Sequence, residues 1–397
     1  MVNMTKPKTE ILQLFSEQKR NNSYLNVAAP MVRYSKLEFR KLLRKHKTHL
    51  CFTPMIVADS FCRSEEARNS EFTTSLDDYP LIAQFAAKDA VEFQTASQLV
   101  YPYVDGVDIN CGCPQSWAIS KSYGCALLRK PELIQDMIKS VQRVLPNSFS
   151  CSVKMRLLQK RDLKSTVDLS RQLEKTGATF ISIHGRTPRQ KTSEPADMAA
   201  VSEIKKSLTI PIIYNGDIKC LNDANTAYNE TNCDGIMSAR GLLSNPTLFT
   251  GTTKTTNECL QDWVNIGAAA DMNISFQCFH HHLTFMMEKL LKKKIRTHFN
   301  NFTTKEQIFS FMLEHFNITP ELNSDAYDYG QNLLKCDYNS NVCEKYKALI
   351  NENTNISQNG NSWNEKSVGK YFLEHTEGDK DDYDNDQFSF MGTSIFD

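Results

Sequence analysis

A series of short strings between residues 29 and 241 carries the side chains that could do chemistry. Ala29-Pro30-Met31-Val32-Arg33 comes first. Gln84 follows, then Asn110-Cys111-Gly112-Cys113-Pro114-Gln115 and Tyr123-Gly124-Cys125-Ala126-Leu127-Leu128. Lys154-Met155-Arg156, His184-Gly185-Arg186-Thr187, Asn215-Gly216-Asp217 and Ala239-Arg240-Gly241 complete the set. Cys113 is the candidate acid. Its loop is stiffened by Pro114, and a thiol with an ordinary pKa of about 8.5 stays mostly protonated at neutral pH, which suits a proton donor. Any one of twelve cysteines is more often a small buried hydrophobe, and Cys111 and Cys62 are read that way. Lys154 is a cation at the end of an apolar run, so it needs a partner or an anionic neighbour. A reduced flavin is such a neighbour, because a nearby charge tunes the ring. Gly216 and Gly241 allow close backbone approach and Arg240 adds charge, which suits a phosphate; each glycine could also simply turn the chain.

Each string follows a short β-type run. These runs are Tyr24–Ala28, Leu50–Phe52, Leu81–Phe85, Val107–Asn110, Cys151–Met155, Phe180–Ile183, Ile210–Tyr214 and Gly235–Ser238. Several are nearly continuous in apolar residues, as a parallel sheet covered on both faces requires. Helical stretches alternate with them. Ser35 to Glu38 reads as a capping box, and Lys130-Pro131-Glu132 and Asn245-Pro246 place proline at helix starts. Eight such units predict a (β/α)8 TIM barrel over residues 24–250, with active groups where strands end. An open doubly wound sheet is the alternative.

Residues 1–23 read as an N-terminal extension. Residues 251–318 turn purely helical and predict a small helical domain. Phe279, Leu283, Met286, Met287, Leu290 and Leu291 form its apolar stripe, beside Lys289, Lys292, Lys293, Lys294 and Arg296. Residues 319–397 form a low-complexity tail, Asn-rich over Asn351–Asn364 and with six acids against one lysine over Glu377–Asp386. Its composition predicts disorder.

The 397-residue chain carries 46 basic and 46 acidic residues, so no bulk positive charge holds nucleic acid, though a local basic face can. No apolar run is long enough for a membrane span. The N-terminus lacks the apolar core of a signal peptide, and scattered cysteines predict a reducing compartment. The expected address is cytoplasmic, with nuclear entry open. The absence of C-x-x-C pairs and the consecutive His280, His281 and His282 argue against a metal site. A monomer is expected.

In this order, A-P-M-V, N-x-G-C-P, G-x-x-L-L, K-M-R, H-G-R-T, N-G-D and A-R-G resemble the tRNA-dihydrouridine synthases over roughly residues 24–318. Ala29–Phe39, Phe52–Ala58, Asp108–Gln115 and Cys278–Glu288 look most like the eukaryotic branch that modifies positions 20a and 20b of the tRNA D loop. Gly124-Cys125-Ala126 departs slightly, since relatives often have the alanine first. The resemblance implies FMN held by Pro30, Met31, Val32, Gln84, Lys154, His184, Asn215, Gly216, Asp217, Ala239 and Arg240. It implies NADPH or NADH as reductant, hydride delivery to uracil C6 and a proton from Cys113 to C5. It places tRNA against Asn110, Arg156, Arg186 and the basic residues Lys292, Lys293, Lys294 and Arg296. The rival readings are a flavin barrel reductase of a small alkene or pyrimidine, and an inactive tRNA-binding scaffold.

Overall fold

The computed structural model describes residue 6 and residues 8–270, 274–321 and 333–356. Its strands are β1 (Leu25–Ala28), β2 (Leu50–Phe52), β3 (Ile56–Val57), β4 (Leu81–Ala86), β5 (Gly106–Cys111), β6 (Ser150–Arg156), β7 (Ile181–His184), β8 (Ile212–Asn215) and β9 (Gly235–Ser238). All pairings are parallel. β1 pairs with both β2 and β9, and β2 pairs with β4, so the sheet closes. β2 and β3 lie along the same edge of β4, at Cys51↔Leu81 and Ile56↔Phe85, and act as one interrupted stave. This is the (β/α)8 barrel, and closure excludes the open sheet.

Alternation along the strands separates two environments. Ala83, Phe85, Ile109, Val153 and Ile183 face the helical shell and are buried there. Leu25, Val27, Leu50, Phe52, Ile82, Ile213 and Met237 form a separate inner cluster with Phe180. Ile11 and Phe15, four apart on the helix Ile11–Arg20, belong to this cluster, and the Phe15 ring lies 5.5 Å from Phe180. The extension at residues 1–23 is therefore, in part, a helical plug that closes the barrel floor.

Local capping signals hold at one helix start and give way at two others. Pro131 does open the helix Pro131–Val144. The Ser35 hydroxyl instead accepts from the Met31 N–H at 3.0 Å, and the helix starts at Leu37. Asn245-Pro246 leads only to the single 3-10 turn Leu248–Thr250, because Asn245 turns its carbonyl onto the Thr247 hydroxyl and N–H.

The helical region comprises Asn257–Ala269, Phe276–Met286, Lys293–Asn300 and Lys305–Phe316. Phe279, Leu283, Met286 and Met287 are buried, but the helix ends at Met286, so Leu290 and Leu291 lie on the connection to Lys293–Asn300. This region packs on the same end of the barrel as the loops after β1 and β9. His282 stacks 4.2 Å from Phe39 and lies 4.7 Å from Trp263. Its Nε2 sits 3.2 Å from the Tyr34 carbonyl, and burial drives its pKa down to about 3, so the ring is neutral.

Residues 333–356 depart from the expected disordered tail. They end in the helix Ser340–Ile356, whose Cys343 and Tyr346 are buried against the barrel's helices. The Tyr346 hydroxyl donates to Asp59 at 2.7 Å, and Tyr338 packs edge-on to Phe61 at 5.6 Å. A few aromatic anchors hold this segment despite its polar composition. The acidic stretch Glu377–Asp386 lies outside the described residues.

Candidate active site

At the C-terminal end of the strands the barrel interior changes from apolar to polar. The register aligns Gln84 with Asp108, Asn110 with Lys154, Arg156 with His184, and His184 with Asn215. Their side chains share the inner face and converge on the mouth.

Cys113 is held here, half-buried, on the loop after β5. Its N–H and that of Gly112 donate to Asn110 Oδ1 at 3.0 and 3.1 Å. Arg156 Nε donates to the Gly112 carbonyl at 3.0 Å, and Cys125 N donates to the Cys113 carbonyl at 2.9 Å. Gly124 has φ +62°, and a Cβ there would lie 2.5 Å from that carbonyl, so only glycine lets the two loops meet. The thiol sits 3.7 Å from Gln115 Oε1, which also accepts from Trp117 Nε1 at 2.7 Å. Burial pushes the thiol pKa up, outweighing the cations Arg156 and Lys154, so Cys113 stays a protonated donor.

Lys154 is half-buried and donates to Asn215 Oδ1 at 3.2 Å. Burial first, and then Arg156, lower its pKa to about 8. His184 lies among Arg156, Lys154, Arg186 and Arg240; burial and these charges hold its ring neutral. The mouth thus favours an anion. Arg240 is exposed at the start of the short helix Arg240–Ser244, Val32 is exposed beside buried Met31 and half-buried Pro30, and Ala239 is half-buried.

The two glycines are constrained mainly by packing. A Cβ on Gly241 would lie 2.2 Å from the Ile218 carbonyl, and one on Gly216, at φ +140°, would lie 2.6 Å from the Ala196 Cβ. Gly241 lets the loops after β8 and β9 meet, and Gly216 the loops after β7 and β8.

The family model for dihydrouridine synthase (Dus) matches residues 27–321. The chain belongs to the dihydrouridine synthase family. It is 45% identical over 303 residues to a human protein named tRNA-dihydrouridine(20a/20b) synthase [NAD(P)+]-like, covering 76% of this chain and 94% of that one. A Schizosaccharomyces pombe tRNA-dihydrouridine(20a/20b) synthase [NAD(P)+] is 39% identical over 312 residues, covering 79% and 93%. A rat tRNA-dihydrouridine(16/17) synthase-like protein is 34% identical over 282 residues, covering 68% and 64%. Among solved structures, an old yellow enzyme homologue from Zymomonas mobilis aligns with a TM-score of 0.41 and 12% identity, covering 56% of this chain and 86% of that one.

Within this dihydrouridine synthase mouth, some expected residues take other tasks. Arg186 is 1% exposed. It donates to both Asp217 oxygens at 2.6 Å, to the Glu194 carbonyl at 2.6 Å and to the Thr192 carbonyl at 3.0 Å. It therefore does not reach RNA. It pins the loops after β7 and β8. Burial opposes the Asp217 charge, but the Arg186 hydrogen bonds outweigh it and hold the carboxyl below its usual pKa. That carboxylate accepts from Arg186 and from the Ala196 N–H. Asn110 is buried, and its carbonyl is occupied by the Cys113 loop. Gln84, 1% exposed, is held between Asp108 and Asn110. Arg156 remains at the mouth while bonding Gly112 and, through Nη1, the Thr187 carbonyl at 3.2 Å.

The basic cluster is itself divided. Lys292, Lys293 and Lys294 are exposed on the helical region, whereas Arg296 is half-buried and donates to the Glu288 carbonyl at 3.1 Å. Among the described residues no group of acids, histidines and cysteines could hold a metal ion. Sequence reading missed Asp108, which is fully buried and bonded to Ser152 and Gln84. A lone acid inside the apolar run Val107–Asn110 was its available signal.

Proposed function

We propose that this chain is an FMN-dependent, NADPH- or NADH-driven tRNA-dihydrouridine synthase that reduces uridines at positions 20a and 20b of the D loop. One observation carries the chemistry: a protonated thiol, Cys113, is fixed at the barrel mouth beside Lys154, Asn110 and Arg156. Substrate and positions follow from the names of relatives matched across most of both chains.

The donor set fits FMN. Lys154, His184 and Asn215 would face the ring, Met31 and Val32 would supply an apolar edge, and Arg240 with the backbone of Gly216 and Gly241 would meet the phosphate. When bound and reduced, FMN supplies the hydride for C6 of the uracil. The ammonium of Lys154 balances negative charge on that cofactor. The Cys113 Sγ–H gives its proton to C5, saturating the 5,6 bond. The Asn110 carbonyl and the Arg156 guanidinium hold the Cys113 loop while this happens. The uridine must leave its stack to enter the mouth, and exposed Lys292, Lys293 and Lys294 offer phosphate contacts that offset part of that cost.

The small-molecule rival has no use for the basic helical region. The inactive-scaffold rival has no use for a protonated thiol whose loop is fixed by hydrogen bonds at the backbone of Gly112 and Cys113. A direct test compares dihydrouridine in total tRNA from cells with and without this gene. The expected loss is confined to 20a and 20b. Loss at other D-loop positions would overturn the branch, and no loss from cells lacking any second synthase would overturn the reading.

A further inference from the structure

The interior polar groups between β4, β5 and β6 form one directional chain of hydrogen bonds. Ser152 Oγ donates to Asp108 Oδ1 at 2.6 Å, and Gln84 Nε2 donates to Asp108 Oδ2 at 2.8 Å. Asn110 Nδ2 donates to Gln84 Oε1 at 2.8 Å. The Gly112 and Cys113 N–H groups then donate to Asn110 Oδ1. Both ends of this chain have no choice of polarity. Backbone N–H groups only donate, and an ionised carboxylate only accepts. The two amides between them can each flip, and only one arrangement satisfies every contact.

We infer that Asp108 is a positioning residue whose fixed acceptor character sets the orientation of the Gln84 and Asn110 amides, and through them the seat of the Cys113 loop. The evidence is geometric. Asp108 is fully buried and separated from the Cys113 loop by Gln84 and Asn110, yet every link from it to the Cys113 N–H lies within hydrogen-bond distance. Were Asn110 an aspartate, its carboxylate would draw the Gln84 NH2 to itself while still accepting from Gly112 and Cys113. The Gln84 carbonyl would then face the Asp108 carboxylate, acceptor against acceptor, with no proton between them. A buried polar group would lose its partner, the costly outcome in a dry interior.

The same logic supplies a rescue. In the exchanged pair D108N/N110D, asparagine at 108 donates to Gln84, Gln84 donates to the carboxylate at 110, and that carboxylate accepts from Gly112 and Cys113. The chain runs in reverse with every group satisfied. The inference rests on the reading of Cys113 as proton donor, but its test reads the loop rather than dihydrouridine, so either can fail alone.

The experiment uses the full-length protein as purified. Deuterium uptake is followed for peptides spanning residues 111–118, with iodoacetamide alkylation of Cys113 followed by mass spectrometry. N110D is expected to raise both rates roughly tenfold, the effect of one lost buried hydrogen bond, while peptides of the β7–β9 strands stay slow. D108N/N110D is expected to recover most of that factor. Unchanged rates in N110D, equal acceleration across the whole barrel, or an exchanged pair no better than N110D would each overturn the inference. If N110D does not fold, the exchanged pair decides: a folded protein with slow exchange at 111–118 supports the inference, and an unfolded or fast-exchanging one contradicts it.

Discussion

The two ends of the barrel are built from the same eight staves but by opposite means. At the floor, Leu25, Leu50, Phe52, Ile82, Phe180 and Ile213 fill the interior and Phe15 of the plug helix covers them. Nothing there depends on direction. Apolar contacts need only volume and shape. At the mouth, further along the strands, Gln84, Asp108, Asn110, Ser152, Lys154 and Arg186 replace them. Almost every contact has a donor and an acceptor that cannot be exchanged. The floor stabilises the protein with groups that touch no ligand. The mouth holds buried charge and a half-buried lysine, arrangements that cost stability and are retained only where something else uses them.

Substitutions should separate the two ends cleanly. Cys113→Ala is expected to lower dihydrouridine formation by about 10²–10⁴-fold, the usual range for a lost general acid, with little change in melting temperature. Flavin reduction by NADPH, followed as bleaching of the yellow absorbance, should persist. Normal product formation would mean another group gives the proton. Phe15→Ala should do the reverse. It removes a plug side chain from the floor and is expected to cost roughly 3 kcal/mol of stability, read as a lower urea midpoint, while activity per folded molecule holds. An unchanged midpoint would show that the helix Ile11–Arg20 does not close the floor. The smallest effect belongs to a surface outside both ends. Replacing Lys292, Lys293 and Lys294 with alanine should weaken tRNA binding and lower the slope of log affinity against log salt by about 2. An unaltered slope would place the RNA elsewhere.

The contrast also explains what could be read from the chain. All eight staves were legible, because buried parallel strands leave nearly continuous apolar runs such as Leu81–Phe85 and Gly235–Ser238. The active strings were legible because strand ends in a barrel share one face. Partnerships were not. Arg186 looked like an RNA contact until the fold brought Asp217 to it across 31 positions. The β5–β6 register sets Ser152 beside Asp108, a partnership that no local pattern announces. The floor plug and the 333–356 segment were hidden for another reason. Their anchors, Ile11 and Phe15 in the one and Tyr338 and Tyr346 in the other, are few, and only the surface that receives them gives them meaning.

The most direct test of the account is reconstitution. The purified protein, loaded with FMN and supplied with NADPH, is mixed with unmodified tRNA carrying uridines at 20a and 20b, and dihydrouridine is mapped along the D loop. The account predicts product at those two positions, lost on Cys113→Ala. A flavin-loaded protein that oxidises NADPH yet leaves every uridine of the tRNA intact would contradict it.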